Sequence, residues 1–424
     1  MKKGLIVTMK IRTASFDFLV CLIMILELAF RSSSELNLSN TIIVLLTLLL
    51  IIKNHFKIVT GHLPKYLVWY SLVVLICAAS LIWAKVNTWS YVYALIKDTY
   101  IPFICFLLVA EDYLDRVKSP EGLVNCLIIA ELVVIVRAVL NTPWGEMIKT
   151  FDSRLFGSGL GRNYNDFTTQ MTLVALIVAY MAFYVDKKYK TAFRIIMLFI
   201  IISASRKAIV VSVLGYIILY LVSSGTNINK IIKRLITLSV VLLAFLLLIF
   251  TNQFLYNLVG EKLVMMFQSL GMSSTDIVSN ISASNIDHSM HGRAVLREEA
   301  FKQFINNPIF GIGYYNFQYN NQYGLYAHNN FLELLADLGL TGFICYYSLY
   351  FCFILSAGRS IARKSKNASY FKFVLLYIVL LVVLEYAQIT FFRLFAIIPT
   401  IVVFRICDYY IEKKYGGNIS EEFR

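Results

Sequence analysis

Residues 195–222 read IIMLFIIISASRKAIVVSVLGYIILYLV, and the way this stretch divides decides the fold. A helix that crosses a bilayer needs about 20 mostly apolar residues. Here the apolar run is broken once, at Arg206-Lys207, just after Ser203, Ala204 and Ser205. Two charges in the middle of one long apolar helix would sit in hydrocarbon at high cost. The favourable division is two spans, 192–205 and 207–223, joined by a hairpin that keeps Arg206 and Lys207 at the membrane edge. Further apolar runs lie near 15–31, 40–52, 66–84, 90–110, 122–141, 166–185, 235–252, 328–356, 371–387 and 389–406, so twelve spans are expected. The run at 40–52 is short for a span, and eleven stays open.

Composition supports the same class. The chain has 424 residues, 59% hydrophobic and 15% charged, with mean hydropathy +0.71. A soluble protein of this length carries about 25% charged residues. Most of the surface therefore faces lipid, and the expected fold is all-α: a single polytopic membrane domain over residues 1–424. The net charge of +14 would suit nucleic acid, but the basic residues fall in short tracts between apolar runs. Examples are Lys187-Lys188-Tyr189-Lys190 and Arg363-Lys364-Ser365-Lys366. Such tracts mark cytoplasmic loops, so no nucleic-acid partner is expected. The cysteines lie in or beside apolar runs and form no CxxC pair, which indicates neither a disulfide framework nor a zinc site. The first apolar run lacks a small-residue cleavage site and reads as a retained helix.

With the N-terminus inside, Lys and Arg in loops and at span ends fall on the inner side by more than two to one. Both termini are then cytoplasmic, and two substantial loops lie outside, about 142–165 and 253–327. The second, between spans nine and ten, is long enough for structure of its own. It contains an amphipathic stretch from Val295 to Ile305, stopped by Asn306-Asn307-Pro308.

Basic residues recur at the outer edge. Arg154 and Arg162 flank a Gly-rich segment that ends at Asn163, Arg206 and Lys207 form the hairpin, and Arg293 and Arg297 open the loop helix. Arginine offers a planar fork of donors suited to phosphate oxygens, so arginines converging there would receive a lipid-linked diphosphate. The alternative is that each snorkels to lipid headgroups and that Arg206 only breaks the hairpin. His328 opens the tenth span, where a neutral imidazole can take a proton from a sugar hydroxyl. The alternative is that His328, Asn329 and Asn330 cap the helix. Glu333 and Asp337 follow one turn apart on one face. Lys97, Asp98, Glu131, Arg137, Glu385 and Arg393 lie within spans, where internal pairing is the default and a polar cavity the functional reading. Gly311 and Gly313 are not a dinucleotide fingerprint, since no third glycine or strand pattern accompanies them, and they read as a tight turn. The 27 tyrosines and 31 phenylalanines suit sugar stacking or interfacial belts. No Asp-x-Asp signature stands on an outer loop, so no metal or other cofactor is expected.

Four pieces, in this order and spacing, resemble the O-antigen ligase and polysaccharide polymerase superfamily of bacterial envelope glycosyltransferases. They are Arg154-x-x-Gly157 with Asn163 and Asn165; Ser205-Arg206-Lys207-Ala208; Gly292-Arg293 with Ala300-Phe301 and Pro308-x-x-Gly311-x-Gly313; and His328-Asn329-x-Phe331-Leu332-x-x-Leu335 with Gly339 and Gly342. The resemblance covers roughly residues 150–345. It implies a GT-C-like, metal-independent enzyme of the bacterial inner membrane that moves a glycan from undecaprenyl diphosphate to an acceptor hydroxyl on the outer face. His328 then corresponds to the general base, and Arg206 and Arg293 to diphosphate ligands. Lys207, Arg154, Asn163 and Arg297 are further candidate substrate contacts. The expected partners are an undecaprenyl-diphosphate-linked oligosaccharide, the lipid bilayer, a flippase and a chain-length regulator. Polymerase, with a second lipid-linked repeat unit as acceptor, is favoured by the Tyr- and Asn-rich composition. A ligase acting on lipid A-core is the first alternative. A transporter or flippase of lipid-linked oligosaccharide, suggested by midplane charges such as Glu131 and Arg137, is the second.

Overall fold

The computed structural model describes residues 2–30, 36–55, 63–150, 152–160, 164–223, 228–253, 256 and 290–419. Asn163, Arg162 and residues 257–289 of the long loop lie outside the described residues. Within them the chain is helical, without a strand. The first helices are α1 (Lys2–Phe30), α2 (Leu36–Lys53), α3 (Leu63–Ala79), α4 (Trp89–Val117, with a π-helical turn at Ile96–Tyr100), α5 (Pro120–Asn141) and α6 (Trp144–Thr150). Then come α7 (Tyr164–Tyr184), α8 (Tyr189–Ser203), α9 (Arg206–Val222), α10 (Ile228–Thr251) and α11 (Met290–Asn306). The last are α12 (Phe317–Asn320), α13 (Asn330–Ala362), α14 (Ala368–Glu385) and α15 (Leu394–Ile419). Among the described residues, all but α6, α11 and α12 stand where an apolar run was expected.

Among the described residues, seven helices, α3, α4, α5, α7, α13, α14 and α15, are long and apolar enough to cross a membrane, and α2 adds a shorter apolar stretch, Leu38–Lys53. Local chemistry sets their ends. Lys118 closes α4 in the left-handed region (φ 53), the Ser119 hydroxyl accepts the Gly122 amide at 3.1 Å, and Pro120 starts α5. At the centre is α7, in which 89% of a membrane-length stretch is buried, although it carries Thr168, Thr169, Gln170 and Thr172. Those polar groups are satisfied inside the helix or by a neighbour, as when the Gln170 amide donates to Glu131 at 2.6 Å. Peripheral helices instead expose Leu72, Val136, Ile344, Phe351 and Val379, an apolar surface that suits lipid rather than water.

The two ends of the bundle differ. At the end expected to be cytoplasmic, Lys65 pairs with Asp408 at 3.0 Å, Arg116 with Asp112 at 2.7 Å, and the buried Arg405 with Glu111. Buried charges persist only with such partners. At the opposite end a cap forms over α13. It has its own apolar cluster of Ala300, Ile312, Phe317, Ala327 and Ala336, against which Leu332 packs. The loop helix α11 begins five residues before the expected Val295 and stops at Asn306, ahead of the Asn307-Pro308 breaker. Residues 308–313 are more than the tight turn expected. They run alongside α13 where it breaks at Gly339, with Ile312 N donating to Ala336 O (2.9 Å), Gly313 N to Asp337 O (2.8 Å) and Leu340 N to Pro308 O (2.9 Å).

Candidate functional site

The hairpin forms as the sequence implied. Helix α8 ends at Ser203, Ala204 turns the chain in the left-handed region (φ 47), and Ser205 is extended ahead of Arg206, the first residue of α9. The Tyr164 hydroxyl, from the start of α7, donates to the Ser203 carbonyl and ties the hairpin to the central helix. Lys207 is half-buried, and its Nζ donates to Oε1 of Gln388. Gln388 Nε2 in turn donates to Oδ1 of Asp166 at 2.7 Å.

Arg293 and Arg297 lie one turn apart on α11, and Arg297 Nε donates to the Arg293 carbonyl at 3.0 Å. Arg293 is within electrostatic reach of Lys207, as is Asp166. The Arg297 guanidinium stands 4.9 Å over the Tyr386 ring, a cation–π contact.

His328 is buried, 6% exposed, with its ring centroid 4.1 Å from that of Tyr326. Its backbone is left-handed (φ 53), a conformation that costs a side-chain-bearing residue about 1–2 kcal/mol. Pinned neighbours hold it there: Glu333 Oε2 accepts the Ala327 amide at 2.6 Å, and the Asn329 side chain donates to the Tyr386 carbonyl at 3.2 Å. Strained residues fixed from both sides are common at functional sites. Helix capping falls to Asn329, whose Oδ1 accepts the Leu332 amide at 3.0 Å.

The turn after α14 thus connects three segments. The Tyr386 carbonyl holds Asn329, its ring carries Arg297, and Gln388 holds Lys207. Asn330 fixes the far side of the turn, its Oδ1 accepting the amides of Thr390 (2.8 Å) and Phe391 (3.1 Å). Tyr386, Gln388 and Asp166 were not singled out in the sequence. The available signal was the polar run Glu385, Gln388, Thr390, Arg393 between two apolar spans, and an acid in the first turn of α7.

The remaining candidates take other places. Arg154 is exposed and clamps Asp152, with Nη2 2.7 Å from Oδ2, and that hydrogen bond raises its pKa above the ordinary value. It is not among the residues gathered at the turn, and Asn163 is outside the described residues. Glu333 and Asp337 do share a face, and both hold backbone: Asp337 accepts the amides of Tyr315 and Phe317, each at 2.8 Å. The other intramembrane charges have internal partners. Asp98 accepts from Asn40 at 2.9 Å, and Glu385 from Thr390 (2.6 Å) and Tyr347 (2.9 Å). Arg137 lies over Phe30. Arg393 lies over Phe392, in the turn before α15 rather than within a span. No group of three or more His, Cys, Asp or Glu suited to a metal occurs among the described residues.

No curated protein matches the chain. Residues 191–347 match the family model described as O-antigen ligase. The matched region contains the Arg206-Lys207 hairpin, α11 and His328, and leaves out Arg154 and the Tyr386–Gln388 turn. With its apolar helices, the chain is a multi-pass membrane protein, and its residues 191–347 are similar to the O-antigen ligase family.

Proposed function

We propose that the protein is a polysaccharide repeat-unit polymerase at the outer face of the bacterial inner membrane. It moves a glycan from undecaprenyl diphosphate to a sugar hydroxyl of another lipid-linked repeat unit. The observation that carries this reading is the Tyr386–Gln388 turn, which links the segment of His328 to those of Lys207 and Arg297. Arg206, Lys207 and Arg293 receive the diphosphate, helped by the amide groups at the N-terminus of α9. Arg297 flanks it. His328 takes the proton of the acceptor hydroxyl, and the freed oxygen attacks the anomeric carbon of the donor. The bond from that carbon to the diphosphate oxygen breaks, and undecaprenyl diphosphate leaves with its charge held by the basic residues. Burial of His328 keeps bulk water from competing as acceptor. The basic residues supply the charge stabilisation that a divalent metal would otherwise give, so the reaction is read as metal-independent. A flippase that delivers the substrate and a chain-length regulator are the partners such an enzyme needs.

The description of the matched family favours a second reading, a ligase whose acceptor is lipid A-core. Purified protein given the lipid-linked repeat unit alone, then with added lipid A-core, separates the two. Polymerase predicts chains of increasing length in the first reaction. Ligase predicts product only in the second. Movement of the lipid-linked unit across vesicles with no glycan transfer in either would replace both with a transporter.

A further inference from the structure

Lys207 is half-buried with its ammonium turned inward onto Gln388, yet among the described residues it forms no ion pair with a carboxylate. Asp166 is within electrostatic reach of Lys207 but is hydrogen-bonded to it only by way of the Gln388 amide, which accepts from Lys207 and donates to Asp166 at 2.7 Å. The usual companion of an ammonium drawn out of water is a carboxylate in direct contact. An amide in that place holds the ammonium in position without cancelling its charge. Because the amide has a donor end and an acceptor end, it also satisfies the acid on its far side.

We propose that Gln388 is a positioning residue for the donor diphosphate, a neutral spacer that aims Lys207 and keeps Asp166 out of direct contact with it. The proposal rests on the reading of Lys207 as a diphosphate ligand and deepens it. An incoming diphosphate supplies the negative charge that direct contact with Asp166 would otherwise supply. The site is thus poised for an anion, and the turn that positions Lys207 also carries the carbonyl that holds Asn329 beside His328. Gln388 therefore couples the seating of the donor to the placement of the residue assigned as base.

The test moves one carboxylate by one residue. In the Asp166→Asn/Gln388→Glu double variant of the full chain, the introduced asparagine amide donates to the introduced glutamate, and that glutamate accepts from Lys207. Shape, hydrogen bonds and net charge are kept, but the acid now touches the lysine. Binding of undecaprenyl diphosphate to the protein in nanodiscs is measured, with kcat and KM for the lipid-linked donor and the melting temperature. The expected result is a wild-type melting temperature, binding weaker by about tenfold or more, and a KM effect larger than the kcat effect. A folded double variant that binds like wild type overturns the proposal, since Gln388 would then be only a hydrogen-bonded bridge. Gln388→Glu alone gives the same loss, and a folded single variant with wild-type binding overturns the proposal by itself. Wild-type protein that binds no undecaprenyl diphosphate overturns the functional reading too. Wild-type turnover with undiminished binding in the variants sinks the spacer role alone.

Discussion

The Oδ1 of Asn329 accepts the Leu332 amide at 3.0 Å, so Asn329 is the N-cap of α13 and His328 stands one residue outside the helix. The two roles that the sequence left together on this segment are separable by mutation. Asn is among the residues that best tolerate a positive φ, so His328→Asn should keep the fold at φ 53. Loss of a general base lowers turnover by about 10²–10⁴-fold. His328→Asn should therefore melt near the wild-type temperature with glycan transfer reduced on that scale. Asn329→Ala should do the reverse in part, losing about 0.5–2 kcal/mol of stability with the cap. Wild-type transfer by His328→Asn at matched expression would remove His328 from the chemistry.

The helix positions were legible because long apolar runs have no other stable home, although among the described residues seven helices rather than twelve are long and apolar enough to cross a membrane. Arg206 and His328 were legible for a related reason, since a charge or an imidazole at the mouth of an apolar run is conspicuous. The junction between them was not. Gln388 and Asp166 are single polar residues at helix ends, and only the packing of α7, α9 and α14 brings them to Lys207. Tyr386 works partly through its carbonyl, which every residue possesses, so no side-chain pattern marks that role. Glu333 and Asp337 were visible as buried acids, but their partners are backbone amides of residues 315, 317 and 327. A sequence names such a bond only once the fold is known.

Arg206 is the clearest test of diphosphate recognition, because it starts α9 next to Lys207. Lysine keeps the charge but lacks the planar fork that grips two phosphate oxygens at once. Arg206→Lys should lose transfer by about tenfold or more, given that a hydrogen bond to a charged group contributes about 1.5–3 kcal/mol. KM for the lipid-linked donor should rise with normal membrane insertion. Full activity of Arg206→Ala at normal expression would rule the role out.

Placement across the membrane follows from the Lys and Arg distribution and is checked at two serines. Ser273 belongs to the segment expected outside, and Ser365 to the short connection between α13 and α14 expected inside. With the native cysteines replaced, Ser273→Cys should react with an impermeant maleimide on intact cells. Ser365→Cys should react only after the membrane is opened. The opposite pattern would put the hairpin, the His328 segment and the Gln388 turn on the cytoplasmic side, where no lipid-linked polymer is assembled in the proposed scheme.

Two glycines of α13 should respond to alanine with opposite signs. Gly339 has φ 63 and ψ −163, and a Cβ there would lie 2.4 Å from the backbone carbon and oxygen of Ile309. Such a conformation is close to glycine-only and costs on the order of 1–3 kcal/mol with a side chain, before the clash is counted. Relief would require residues 308–313 to separate from α13, breaking the contacts from Pro308 O to Leu340 N and from Ala336 O to Ile312 N. The same half-helix carries Asp337, which anchors Tyr315 and Phe317, and Glu333, which anchors Ala327 next to His328. Gly339→Ala should therefore lower both the melting temperature and glycan transfer, although residue 339 is assigned no substrate contact. Gly358 lies in the same helix with nothing within 4 Å of its would-be Cβ. There alanine should stabilise by about 0.5–1 kcal/mol through helix propensity and leave transfer unchanged. Thermal melts and turnover of the two variants in one detergent make the comparison. If Gly339→Ala melts with wild type, the close backbone approach is not what holds the cap over the His328 segment.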